Sequence, residues 1–210
     1  MPGRLVTARQ RSLPALFVVS RGGARPVVAA VAAAALVVGW VPLGLRNVPL
    51  ADGVALVTLG VCSVLPALCC LGSLVPPGRG VEATLPRGRL AGLRASWALA
   101  LTVAVLGTGA AVGAVRGLDP DSTVLVLRSG LLGLGAVLVS AVLLPPAAAW
   151  LPLALFAMVS WLAGSRDLAG TARWWAVLSH HPGSTPAAGL ALALWLAGVA
   201  AYSRWDARGR

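Results

Sequence analysis

The sequence contains no lysine: all 17 of its Lys and Arg positions are arginine, set against six acids, for a formal net charge of +11 over 210 residues. Without lysine no Schiff base can form and no G-x-x-x-x-G-K-[ST] phosphate loop exists, so the chain carries no Walker-type nucleotide site of its own. Any ATP hydrolysis has to come from a partner. The accompanying excess of Ala, Gly, Leu and Arg fits a high-GC genome. Charge of either sign is scarce, at 11%, and aromatic residues make up only 5%. So little polar surface does not suit a soluble domain of this length. A 58% apolar content and a mean hydropathy of +0.86 suit a chain solvated by lipid.

Other absences exclude chemistry. The three cysteines, Cys62, Cys69 and Cys70, share one apolar run, which reads as packing rather than as a disulfide framework or a C-x-x-C zinc spacing. All six acids, Asp52, Glu82, Asp119, Asp121, Asp167 and Asp206, fall in loops or at ends, so a proton- or sodium-coupled carrier lacks its usual in-span carboxylates. Intramembrane catalysis has no foothold either: there is no Glu-Glu pair with a downstream His, no G-x-S-x-G nucleophile and no Asp-rich metal motif. The sequence therefore predicts neither an enzyme nor a bound cofactor or metal.

What is present is a series of apolar stretches, each long enough to approach the ~20 helical residues that a hydrocarbon core of ~30 Å requires. Breakers and charges delimit six, at 26–44, 54–75, 95–115, 123–144, 147–163 and 186–203. The predicted fold class is all-α, with a polytopic six-helix transmembrane domain over 26–203, a basic N-terminal segment over 1–25 and a basic tail over 204–210. The stretch at 26–44 is read as a retained span, because it is long enough to cross and no A-x-A-like exit precedes the next span. Within the first 25 residues, the short apolar patch at 13–19 between arginines suits a segment lying on the cytoplasmic leaflet, with a disordered basic tail as the alternative.

Arginine sets the orientation, because cytoplasmic loops of short-looped membrane proteins keep positive charge. Twelve arginines fall on one side (Arg4, Arg9, Arg11, Arg21, Arg25, Arg79, Arg87, Arg89, Arg94, Arg204, Arg208 and Arg210) and five on the other (Arg46, Arg116, Arg128, Arg166 and Arg173). Both termini are expected in the cytoplasm, with the arginines meeting lipid headgroups rather than nucleic acid. Tryptophans near the span ends agree. The turn at Pro145-Pro146 is uncharged, and a re-entrant unit over the fourth and fifth stretches would change the parity of the last span.

A few residues within this frame invite functional readings. Arg128 is the one charge inside a span, shallow enough to snorkel outward; the alternatives are pairing with Asp119 or Asp121, or lining a translocation path. His180-His181 read as a solvated pair rather than metal ligands, since adjacent side chains diverge and no third ligand sits nearby. Residues 166–178, with Trp174 and Trp175, read as an interfacial helix or hairpin. The hydroxyls Thr58, Ser63, Thr102, Thr108, Ser140 and Ser160 are expected to bond to their own helix backbone. The glycines of the third and fourth spans, with one G-x-x-x-G at Gly109 and Gly113, are read as packing.

The most informative stretch is the first cytoplasmic loop, 76–94, PPGRGVEATLPRGRLAGLR, which holds the only glutamate. An acid, an apolar pair and a basic run fixed between two spans suit docking on a cytoplasmic partner; an ordinary positive-inside loop is the plain alternative. Through the E-x-x-L-P-R run from Glu82 to Arg87, the L-R-S-G-L-L-G-L-G opening from Leu127 to Gly135 and the W-W…P-G-S-T-P-A-A stretch before the last span, the chain resembles permease subunits of type-2 ATP-binding-cassette exporters, in particular the small six-span proteins of actinobacteria.

That resemblance implies a bacterial cell-membrane protein partnered by a cytoplasmic ATP-binding-cassette ATPase, by a second permease copy or paralogue, and by membrane lipids. It also implies a coupling role for Glu82, Leu85, Pro86, Arg87 and Arg89. The uncharged turn at Pro145-Pro146 departs from the family pattern at a second ATPase contact. A non-transporting membrane scaffold, accessory or self-protection protein fits the same spans.

Overall fold

The computed structural model describes residues 13–46, 52–74, 87–164 and 172–205. Apolar runs become helices because a helix satisfies its backbone polar groups internally, which a lipid environment demands. The helices are α1 (Leu13–Ser20), α2 (Arg25–Arg46), α3 (Asp52–Cys62), α4 (Leu65–Leu74), α5 (Arg87–Arg116), α6 (Pro120–Leu143), α7 (Leu151–Ala163) and α8 (Thr185–Arg204), with a 3-10 turn at Val177–Ser179. No strand occurs among the described residues.

Four stretches are long and apolar enough to cross a membrane: Val57–Leu74, Gly88–Arg116, Pro120–Leu143 and Thr185–Arg204. The expected first and fifth spans coincide with shorter apolar stretches, Arg25–Trp40 and Leu151–Ala163. Three boundaries differ from the sequence expectation, each for a local reason. The second stretch is two helices, since Pro66 has no N–H to return to Cys62 and the chain tightens, with Val64 N–H on Val61 O at 3.2 Å and Ala67 N–H on Val64 O at 3.1 Å. α5 begins at Arg87 rather than at 95, so Arg87, Arg89 and Arg94 are helical, in a run of arginine, leucine and alanine that favours helix. α7 begins only at Leu151, because the chain after Pro145 spends residues 146–150 in turns closed by Ala148 N–H on Pro145 O at 2.9 Å and Leu151 N–H on Ala148 O at 3.1 Å.

α6 is the centre of the bundle and packs on α4, α5 and α8. Glycine makes the closest of these approaches possible. A Cβ on Gly135 would lie 2.6 Å from the Trp195 nitrogen, and one on Gly198 would lie 2.7 Å from the Gly135 carbonyl, so α6 and α8 meet backbone to backbone. Around this contact Val64, Ala67, Leu101, Leu132, Leu138, Leu153 and Ala191 form one continuous core.

The turns gather at two ends. At one, Leu74 ends α4 beside Arg21 and Tyr202, and Phe17 meets Trp97 near the start of α5. At the other, Gly39 lies beside Arg116, Gly113 beside Thr123 and Gly60 beneath Leu178. There Gly117, at φ +66°, turns the chain into α6, whose first turn is capped by Asp119 accepting from the Ser122 N–H at 2.8 Å.

Candidate functional site

Arg128 lies eight residues into α6, about 12 Å from the helix start at 1.5 Å per residue. The residue is only 5% exposed, and its guanidinium is covered by residues 177–182. Nη1 donates to His181 O at 2.8 Å and to Pro182 O at 3.4 Å; Nη2 donates to His180 O at 2.6 Å and to Val177 O at 3.4 Å. Neither Asp119 nor Asp121 is among these partners, and both acids are exposed. The Arg128 guanidinium is thus held by main-chain carbonyls rather than by either acid, and the reason is chemical. Carbonyls in a segment that is not α-helical have no N–H four residues on to bond them, and a guanidinium offers five donors in a fixed fork.

The segment is seated as well as bonded. Leu178 O occupies the space a Cβ on Gly60 would need, at 2.6 Å, so only glycine lets the backbone approach α3 this closely. Val177 and Leu178 enter the apolar core, and Ser179 Oγ donates to Ser160 O at 3.2 Å on α7. Beneath them, Ser129 Oγ and Ser160 Oγ are buried without a hydrogen-bond partner, in residues 1% and 0% exposed. Of the hydroxyls expected to bond to their own helices, Ser63, Thr102 and Thr108 do so, at 2.6, 2.8 and 2.6 Å. Ser160 does not, and Thr58 accepts from Trp161 Nε1 at 3.2 Å.

Residues 166–171 of the expected interfacial element lie outside the described residues; residues 172–175 stay at the surface, and from Ala176 to Ser179 the chain is buried in the bundle. Trp174 stays outside, 81% exposed, while Val177 and Leu178 are buried. The histidines serve the same local architecture. His180 Nε2 lies 3.1 Å from Arg173 O, a contact that requires the ring nitrogen to donate, and Gly183 N–H donates to His181 Nδ1 at 3.3 Å. Among the described residues no group of three or more His, Cys, Asp or Glu is placed to hold a metal ion.

At the opposite end a second arginine is buried. Arg21, expected to face lipid headgroups, is 0% exposed: Nη1 donates to Leu74 O, and its guanidinium carbon lies 5.1 Å from the Phe17 ring centre and 5.6 Å from that of Tyr202. Tyr202 OH donates to the same carbonyl at 3.3 Å, and Phe17 meets Trp97 edge-on at 6.5 Å. The signal that finds this arrangement in the sequence is Gly22-Gly23, whose φ values of +84° and +66° reverse the chain after α1. Gly23 N–H bonds Val18 O at 3.0 Å and Gly22 N–H bonds Val19 O at 3.2 Å, the pattern of a glycine-terminated helix.

No protein family, curated protein or solved structure matches the chain. The expected coupling residues Glu82, Leu85 and Pro86 lie outside the described residues, Arg87 opens α5, and Arg89 is exposed on its first turn. A cavity between α2, α4, α5 and α6, lined by Ala34, Val37, Ser63, Pro66, Val105 and Gly130, measures about 10 Å³, the space of about one water.

Proposed function

We propose that the chain is the membrane-spanning permease subunit of an ATP-binding-cassette exporter in a bacterial cell membrane. In this reading it makes six passes with both termini in the cytoplasm, and a separate cytoplasmic subunit hydrolyses ATP. The observation that carries it is the filled centre of the bundle. α6 meets α8 backbone to backbone, and the cavity beside it has room for about one water. A path for a hydrophobic or amphipathic compound then runs between two copies, or between this chain and a paralogue, which makes a single chain a subunit. Glu82, Leu85, Pro86, Arg87 and Arg89 transmit the ATPase motion to α5, and Arg128 reaches the path only by leaving its carbonyl partners.

A second reading, a non-transporting scaffold, accessory or self-protection protein, is favoured by the way Arg128 is occupied by its own chain. Purification of the tagged protein from its native host in nanodiscs, with mass spectrometry of what accompanies it, separates the two. A stoichiometric ATPase bearing a Walker motif supports the permease, and Glu82→Arg then releases that subunit. A lone chain, or a different stoichiometric partner, supports the scaffold.

A further inference from the structure

The segment over residues 172–184 is held together from within. Ala176 N–H bonds Arg173 O at 2.9 Å, Ser179 N–H bonds Ala176 O at 2.8 Å, and Ser184 N–H bonds His181 O at 3.0 Å. These bonds do not involve the bundle, and a released segment can keep them. Its polar hold on α6 and α7 consists of the Arg128 fork, the bond from Ser179 to Ser160 O and, at the start of the segment, Arg173 N–H on Gly164 O at the end of α7, at 2.8 Å. Every acceptor that Arg128 uses there is a neutral carbonyl, which water can replace one for one.

Ser129 Oγ and Ser160 Oγ lie under the seated segment with their hydrogen-bonding capacity unmet. Buried polar atoms of this kind are rare in folded proteins, and each disfavours the state that buries it. The seated arrangement is therefore good for the carbonyls of the segment and poor for the hydroxyls beneath. A state that admits water reverses both terms.

We propose that residues 172–184 form a releasable plug pinned by Arg128, whose withdrawal opens the seam containing Gly60, Ser129 and Ser160 to water. Gly60 allows the plug to sit flush against α3, and the apolar pair Val177 and Leu178 returns it to the core. The device operates in this chain alone and does not depend on the transport reading.

The test uses the full chain in nanodiscs, with Cys62, Cys69 and Cys70 replaced by alanine and Ser129→Cys introduced as a reporter for a membrane-impermeant methanethiosulfonate. Labelling is expected to be slow but complete with Arg128 present, at least tenfold faster with Arg128→Ala, and slowed again by added guanidinium ion, which refills the carbonyl fork. A second chain keeps Arg128 and adds Ser160→Cys with Ser179→Cys; oxidation of that pair by copper phenanthroline is expected to slow labelling at position 129 at least fivefold. If Arg128→Ala aggregates, the cross-linked chain decides the matter alone. A reporter that never labels, or that labels at one rate with and without the cross-link, overturns the proposal.

Discussion

Arg21 and Arg128 sit at opposite ends of the bundle, and each has left water to bond a carbonyl more than fifty residues away in the chain. Their surroundings differ. Arg21 spreads its charge over the faces of Phe17 and Tyr202 and bonds the carbonyl that ends α4, so it joins α1 to helices that already have their own backbone bonds. Arg128 has four carbonyls and no ring, all from a segment with little regular structure to satisfy it. One arginine ties finished elements together, whereas the other completes an unfinished one. In spans without acids, backbone carbonyls and aromatic faces take the place of carboxylates, and the geometry of the acceptors decides whether arginine is replaceable.

The largest effect expected from breaking this comparison follows Arg128→Ala, which takes the side-chain donor from four carbonyls, of which Val177 O and His181 O keep a backbone N–H. Stability against SDS in mixed dodecyl maltoside micelles should fall by about 3 kcal/mol or more, and Arg128→Lys should recover less than a third of the loss, because an ammonium cannot span the fork. Arg21→Ala should cost about 2 kcal/mol in the same titration, with Arg21→Lys recovering about half, since attraction to the two rings survives the exchange. Equal rescue by lysine at the two positions would erase the distinction.

Asp119 supplies a charge at the Arg128 end that remains in water. Asp119→Ala should cost about 1 kcal/mol through loss of the α6 cap, and Asp119→Asn almost nothing. The Ser122 backbone N–H holds the Asp119 carboxyl below its ordinary value of 3.8, with the Ser122 side chain adding to the effect. The folded state therefore binds this proton more weakly than the unfolded state does. Its contribution is complete above pH 3.8 and declines as the pH falls through the lower folded value, a slope that Asp119→Asn should flatten. The smallest effect belongs to Tyr202→Phe, which keeps the ring under Arg21 and removes a 3.3 Å bond to Leu74 O, for about 0.5 kcal/mol.

The helices were legible because their signals are local: an apolar run between breakers specifies its own hydrogen bonds. α6 and α8 fall within three residues of the boundaries expected at each end. The break before Pro66 is visible as a proline inside a run, yet the expected span runs through it, since hydropathy does not register a missing N–H. Arg128 stood out as the one in-span charge, but its partners are main-chain atoms of Val177, His180, His181 and Pro182, which no side-chain pattern displays. Arg21 was misplaced for a related reason: counting arginines by side treats each as a headgroup contact, while Gly22-Gly23 folds this one inward.

The contact of Gly135 with Gly198 has a mechanical consequence. Where two backbones touch there are no long side chains to repack, so α6 and α8 cannot part gradually at that point. Tilting about it keeps the contact closed. Arg128 lies seven residues, about 10 Å, along α6 from this fulcrum, so a few degrees of rocking between the two helices displaces the level of the Arg128 fork by less than an ångström. Motions larger than that have to be carried by the segment leading into α8 or by the helices around the pair.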